Sequence, residues 1–484
     1  MPADDTDPRR LPIKLDTTSN GEFVPVPLAA DARAARSAAH AAIDAAARRL
    51  NLSRRRYVVS AAGAAATLLA FDRAFAAAGH RGGRYAIPAE AAYEPQVAQA
   101  AIGPLPGEFI FDVQLHHVNP RGKWRERAGP NAFKGMPNSA CGKSDHIECF
   151  SADAMLKDVF MDSDTAMAVL SHVPGGPDTN PLDFEAAGAT RVAANALDGS
   201  ERLLLHGRCM PTLTGEIDGM VRQASSWKLA AFKTYTQFGP RDGDAGFWLD
   251  DDKYGTPFID RARQLGVRNI CVHKGLAFGA RGYEYSLARD VGPAAKRHPD
   301  MNFLIYHSGF DTQVKEGPYD PQAKAGVNVL IRSYLEAGKP KNVYAELGST
   351  WRFVMRDPDQ AAHLLGKLLK YLGEDQILWG TDSIWYGSPQ DQIQAFRAFE
   401  ISSEFQQKFG YPALSTQAKL KIFGRNAARV YGLAPEQMQT RLLKDRVQKQ
   451  KTEYLNDPWP SFATYGPRSR REFLAFKREA GDEP

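Results

Sequence analysis

From Glu108 onward, short runs of β-branched and aromatic residues alternate with longer segments of helical character. The runs predict strands over Phe109 to His116, Ala166 to Ser171, Arg202 to Arg208, Lys228 to Tyr235, Val267 to His273, Asn302 to His307, Asn342 to Glu346 and Gln376 to Asp382. Pro257 to Leu265, Gln322 to Ala337 and Asp359 to Leu372 are among the helical segments between them. Strands spaced by roughly 25 to 55 residues suit βα units, and eight such units predict an α/β chain closed as a (β/α)8 TIM barrel. The open, doubly wound alternative has no Gly-x-Gly-x-x-Gly after the first strand to support a dinucleotide site.

This pattern divides the chain into an extension over residues 1–100, a barrel over 105–433 and a charged, helix-prone tail over 434–484. The tail is expected to wrap the barrel or a neighbouring subunit of a homo-oligomer. Three insertions, Val118 to about Phe150, Phe238 to Gly255 and Ser308 to Tyr319, all follow the carboxyl ends of predicted strands. That is the face on which barrel active sites are built.

The extension has no β pattern, and Ala29 to Leu50 reads as an Ala-rich helix with little apolar face. Next come Ser53-Arg-Arg-Arg-Tyr-Val-Val59, the moderately apolar Ser60 to Phe71, and Ala74-Phe-Ala76. The segment over about 53–76 resembles a twin-arginine export signal, which implies a periplasmic or extracellular protein. The alternative is a basic, Ala-rich surface helix. The apolar run is too short for a stable membrane span.

At 484 residues, 43% hydrophobic and 24% charged, the chain can bury a large core. A net charge of +5 with scattered basic residues argues against a nucleic-acid partner and leaves a small-molecule substrate. Four cysteines are too few for a disulfide scaffold. Cys141 and Cys149 lie close enough for a disulfide, a Cys/His metal knuckle or two free thiols.

Ionisable and polar residues recur at the strand ends. The first strand closes on Asp112, Gln114 and His116, the fourth on Lys233 and Tyr235, and the fifth on Cys271 and His273. The sixth ends on His307, the seventh on Glu346 and the eighth on Asp382. A period of two puts Asp112, Gln114 and His116 on one face, as it does Lys233 with Tyr235. Imidazoles from separate strands plus a carboxylate suit zinc or manganese, which would activate water and polarise a carbonyl. Trp124, Tyr235, Phe238, Trp248, Phe278, Trp351, Trp385 and Tyr386 also fall on or after strand ends and would suit a flat, partly apolar substrate.

Asp112-x-Gln114-x-His116, Val-His273-Lys-Gly, Tyr-His307-Ser-Gly, Leu-Trp-Gly-Thr-Asp382 and Gly424-Arg-Asn-Ala-Ala-Arg-Val-Tyr-Gly432 resemble, in order, motifs of the amidohydrolase superfamily. The likeness is to its amidohydrolase-related branch, covers about Glu108 to Leu433, and does not extend to a substrate. It implies His116, His273 and Asp382 as metal ligands, His307 at the substrate or metal, and Asp382 as acid/base. Gln114 departs from the family's histidine and would offer an amide oxygen as ligand. His117 is a substitute only if it escapes strand parity. Lys233 is expected to bind a substrate carboxylate or pair with Glu346, and Tyr235, Glu346 and Trp385 join it as substrate contacts. His172, His206 and Arg208 are assigned structural roles.

Three functions fit these residues. The first is a metal-dependent hydrolase of an amide, ester or lactone of a small aromatic or carboxylated substrate. The second is a non-oxidative decarboxylase of an aromatic acid. The third is a metal-free barrel that only binds a ligand.

Overall fold

In the computed structural model eight parallel strands pair in chain order around one axis: β1 Phe111–Leu115, β2 Met167–Leu170, β3 Leu203–Arg208, β4 Ala231–Tyr235, β5 Asn269–His273, β6 Asn302–Tyr306, β7 Val343–Glu346 and β8 Ile377–Leu378. The structure describes residues 10–15, 30–130, 132–134, 136, 138, 141, 143–176, 178–198, 201–460 and 474. The barrel closes where the Asp382 amide donates to the Gln114 carbonyl (3.0 Å) and Leu115 bridges Ser383 in parallel. Every strand lies within its predicted run, because a strand buried on both faces must be apolar along its length. β8 is the shortest and stops well before Asp382. Beyond it the chain still bonds β1 through main chain at Trp379, Asp382 and Ser383, and the Asp112 carboxylate accepts the Thr381 amide at 3.0 Å. Asp112 therefore seals the seam between β8 and β1 below the barrel mouth.

The segment resembling an export signal is folded against the rest of the chain. Helix Ala61–Ala77 buries Ala65, Leu68 and Phe71 completely, and packs on helix Ala30–Arg49 through small alanine faces that let the two backbones approach. Arg54 is held by Asp44 (2.5 Å) and His40 (2.9 Å), and the buried Tyr57 hydroxyl donates to the Ala92 carbonyl (2.7 Å). Gly83–Tyr85 then pairs antiparallel with Phe399–Ile401, which fastens the extension to the last part of the barrel. No helix among the described residues is long and apolar enough to cross a membrane.

The tail packs on this chain's own barrel. Met438 and Leu442 of helix Pro435–Leu442 are buried, and Arg202 makes a two-pronged pair with Asp445 (2.5 and 2.8 Å). Such a fork satisfies both carboxylate oxygens and fixes direction as well as distance. Residues 461–473 and 475–484 of the tail lie outside the described residues.

The first insertion is the roof of the barrel mouth. Its Asn138 amide donates to the Trp385 carbonyl (3.0 Å), and the Asn138 side chain donates to the Cys149 carbonyl (2.8 Å). Cys141 and Cys149 form a disulfide, which selects one of the three readings left open by their spacing. A crosslink closing so short a loop contributes about 2 kcal/mol, chiefly by restricting the unfolded chain. Reduction is expected to open the roof locally, with tryptic cleavage after Lys134 and Lys143 at least tenfold faster than in the oxidised protein. Equal cleavage rates with and without reductant would show that the roof is held by packing alone.

Candidate active site

The site is built from strand ends in two layers. Gln114, His116, Tyr235, His273, His307 and Asp382 border a cavity of about 270 Å³ at the carboxyl ends of the strands. Five of the eight described non-glycine residues with positive φ border the same cavity: Phe133, Leu276, His307, Ser349 and Asp382. This conformation is costly for residues with a Cβ, so it persists where surrounding structure over-determines it, as at functional sites.

Hydrogen bonds to main-chain carbonyls define the imidazoles. His116 Nδ1 lies 2.9 Å from the Ser171 carbonyl, His307 Nδ1 2.7 Å from the Gly348 carbonyl, and His273 Nε2 3.2 Å from the Leu276 carbonyl. A carbonyl only accepts, so each of these nitrogens carries the hydrogen. The inner nitrogens of His273 and His307 then present lone pairs. His273 Nδ1 faces His307 Nε2 at 3.1 Å, and His116 Nε2 faces Asp382 Oδ1 at 3.1 Å. Burial holds His307 down at about 4 and His273 well below the usual histidine range, so neither carries a second proton at neutral pH.

Burial also opposes ionisation of Asp382, but the hydrogen bond and charge of His116, the charge of His307 and the Ser349 hydroxyl outweigh it. Its carboxyl is held below the usual carboxylate range. Ser349 donates to Asp382 Oδ2 at 2.5 Å and stands 3.1 Å from the Tyr386 hydroxyl.

Donors bound to one zinc ion at about 2.0–2.1 Å stand about 3.4 Å from one another. The observed separations of 3.1 Å are near that value, His273 and His307 are in the tautomer a ligand needs, and Gln114 Oε1 is buried without a partner. On this donor chemistry the residues fit a divalent ion. Among the described residues, however, no three His, Cys, Asp or Glu side chains form a ready cage. The His116/Asp382 and His273/His307 pairs are separated by the Gln114 amide.

Two predicted contacts do not reach the cavity. Lys233 is fully buried one layer below Tyr235, its Nζ 3.6 Å from the Tyr306 ring centre and without a hydrogen-bonding partner. Burial lowers its pKa to about 7. It forms no ion pair with Glu346 among the described residues. Glu346 instead accepts the His307 amide (3.0 Å) and the Gly348 amide (2.7 Å), and burial raises its carboxyl to about 8. Both are floor residues, because strand parity places them inward but at the wrong height. His117 obeys parity and turns away, its Nδ1 on the Val118 carbonyl (3.2 Å). His172, His206 and Arg208 are engaged by main chain, Tyr431 and Glu216 respectively.

The walls are aromatic. On one side Trp385 stacks on His116 (5.6 Å) and Phe133 (5.5 Å, 6° between planes). On the other, Phe278 stacks on His273 at 4.6 Å and lies against Tyr235. Trp124 supports Phe133 edge-on, whereas Trp248 packs on Tyr285 and Arg289 and Trp351 is buried in the core. Of the three insertions, only the first contributes to the cavity wall. Ser349, Phe133 and Met136 were not anticipated. Ser349 had a signal, as a polar residue just past the end of β7, but the roof residues follow no period.

The amidohydrolase family model matches residues 157–433, more than half of the chain. The chain belongs to this amidohydrolase family. The match covers the strands bearing His273, His307 and Asp382, while Gln114 and His116 precede it and join the site through barrel closure. Solved structures of amidohydrolases and other barrels are similar to it at low identity. An uncharacterised TIM-barrel protein from Bordetella bronchiseptica is 13% identical, with a TM-score of 0.45 over 67% of this chain and 98% of that one. A 2,6-dihydroxybenzoate decarboxylase from Rhizobium is 16% identical (TM-score 0.42, covering 67% and 99%). An amidohydrolase from Burkholderia multivorans with bound zinc is 15% identical (TM-score 0.42, covering 67% and 100%). No curated protein sequence matches the chain.

Proposed function

We propose that this amidohydrolase is a metal-dependent hydrolase of a neutral, flat, largely apolar ester, amide or lactone. The observation that carries this reading is the charge of the cavity: Asp382 supplies a carboxylate, and no described residue lining it is Lys or Arg. Among the described residues an aromatic acid finds no cationic side chain there, since Lys233 lies beneath the floor. That withdraws Lys233 as an anchor for a carboxylated substrate or for decarboxylation. A neutral ring instead fits between the Trp385/Phe133 and Phe278/Tyr235 faces, where stacking contributes about 0.5–1.5 kcal/mol per aromatic pair beyond area burial.

A zinc or manganese ion held by His116, His273, Asp382 and the Gln114 oxygen would polarise the scissile carbonyl and lower the pKa of water. Asp382 is ionised at neutral pH and placed to take the proton from water and pass it to the leaving group. Ser349 and Tyr386 keep its second oxygen fixed, so the proton acceptor does not swing. His307 faces the same centre with a lone pair and orients whatever donor the substrate or water presents. His116, His307 and Asp382 are buried, and a low local dielectric strengthens each of these polar contacts.

The test is a panel of uncharged aryl esters, anilides and aromatic lactones, each paired with a ring-carboxylated analogue, assayed with zinc or manganese added. The neutral member of each pair should have kcat/KM at least about tenfold higher, equivalent to about 1.4 kcal/mol. Preference for the carboxylated members, or carbon dioxide release from hydroxybenzoates, would sink the proposal.

A further inference from the structure

The centre of the site holds more acceptors than donors, and Gln114 is the residue that answers the imbalance. Its Nε2 lies 3.0 Å from Asp382 Oδ1, 3.4 Å from His116 Nε2 and 3.5 Å from His307 Nε2. The amide nitrogen thus stands between the His116/Asp382 pair and the His273/His307 pair, offering two hydrogens to a set of lone pairs. This is the role a cation would play for the same atoms. Meanwhile Gln114 Oε1 is buried and has no hydrogen-bond partner.

The backbone of Gln114 is not free to respond. Its carbonyl accepts the Asp382 amide (3.0 Å) and its amide donates to Asp112 Oδ1 (3.0 Å). The side-chain amide can still turn about its last bond, and such a half-turn exchanges oxygen and nitrogen with almost no change of shape. The space at its outer end is shaped for this exchange. A Cβ on Gly348 would sit 2.2 Å from Gln114 Oε1 and 2.5 Å from Glu346 Oε1, so glycine leaves these two groups facing one shared gap. After a half-turn the NH2 group enters that gap and meets the Glu346 carboxyl oxygen, while Oε1 faces the centre.

We propose that Gln114 is a cation-responsive gate: its NH2 group competes with a divalent cation for the same acceptors, and cation binding turns its carbonyl oxygen inward, with Glu346 receiving the displaced NH2. The inference rests on the metal-dependent reading above and deepens it. An amide oxygen in place of an imidazole also makes the site harder, favouring manganese relative to zinc.

The test uses the full chain stripped with chelator and titrated calorimetrically with zinc chloride and manganese chloride. Wild type, Gln114→Leu, Gln114→His and Glu346→Gln are compared, with circular dichroism confirming the fold of each. Wild type should bind one equivalent, Gln114→Leu should bind manganese at least about tenfold more weakly, and Gln114→His should shift preference at least about tenfold toward zinc. In 15N-glutamine-labelled wild type, one side-chain NH2 pair, absent from the Gln114→Leu spectrum, should move on zinc addition, and Glu346→Gln should alter its bound position. Equal affinities of wild type and Gln114→Leu with no moving NH2 pair would overturn the gate while leaving metal dependence standing. Zinc uptake by Gln114→His but not by wild type would make Gln114 a block and not a gate. No uptake by either protein would overturn the metal-dependent reading as well.

Discussion

An Asp382→Asn protein is expected to lose about three orders of magnitude in kcat, in the middle of the range for removing a positioned acid or base. The substitution keeps the side chain's shape and leaves an oxygen to accept the Ser349 hydroxyl, now 2.5 Å from Asp382 Oδ2. What it removes is the ability to take a proton. Burial alone would disfavour the charge on Asp382, but His116, His307 and Ser349 together depress its carboxyl below the usual range. The base is therefore present above that depressed value and is lost as pH falls through it. The acid limb of the wild-type pH–rate profile should accordingly lie below about pH 4, the ordinary carboxylate region. Steady-state kinetics on the preferred neutral substrate, with thermal unfolding as a control on folding, checks both points. Undiminished kcat in the asparagine protein would remove Asp382 from the mechanism.

Lys233→Met is expected to stabilise the protein at pH 7 and leave catalysis nearly unchanged. The Lys233 amine is fully buried without a hydrogen-bonding partner, and burial lowers its pKa to about 7 from an ordinary 10.5. A shift of that size corresponds to a cost on the order of 4–5 kcal/mol for a group charged in the unfolded chain at neutral pH. The Tyr306 ring, 3.6 Å from Nζ, offsets about 2 kcal/mol of this through its π face. The net gain from methionine is then about 2–3 kcal/mol. Between pH 7 and about 10 the unfolded chain binds the proton and the folded one does not, so wild-type stability rises with pH across this window. The advantage of Lys233→Met should be greatest at or below pH 7 and shrink toward pH 10. Denaturant titrations at pH 6.5, 8 and 9.5 measure it. A variant less stable than wild type at pH 6.5, or a pH-independent gap, would mean that Lys233 is held by interactions other than burial against Tyr306.

The contrast between these two residues shows how far strand parity carries. The period of two correctly turned Asp112, Gln114, His116, Lys233 and Tyr235 inward. It did not say how high each stands along the barrel axis. Two residues of a strand span about 6.6 Å. That one step separates Tyr235 on the cavity wall from Lys233 in the floor, and Gln114 in the site from Asp112 in the seam. Glu346 was misplaced for the same reason, being one step too low and used up by the His307 and Gly348 amides.

The roof was invisible for a different reason. Phe133 and Met136 sit in an insertion with no repeating period, and their positions depend on Asn138 hydrogen bonds to Trp385 and Cys149 that are remote in sequence. Ser349 reaches Asp382 only because its backbone adopts a positive φ that local propensity opposes.

By itself the sequence determined the eight strands, their order, and the histidines and aspartate at their ends, because burial on both faces writes a continuous apolar run that needs no tertiary information to read. The tertiary structure decided which inward side chains share one depth, which nitrogen of each imidazole is free, and that no lysine or arginine among the described residues borders the cavity. Those properties depend on barrel stagger, on carbonyls from other strands and on a disulfide-closed roof, each of which joins residues far apart in the chain.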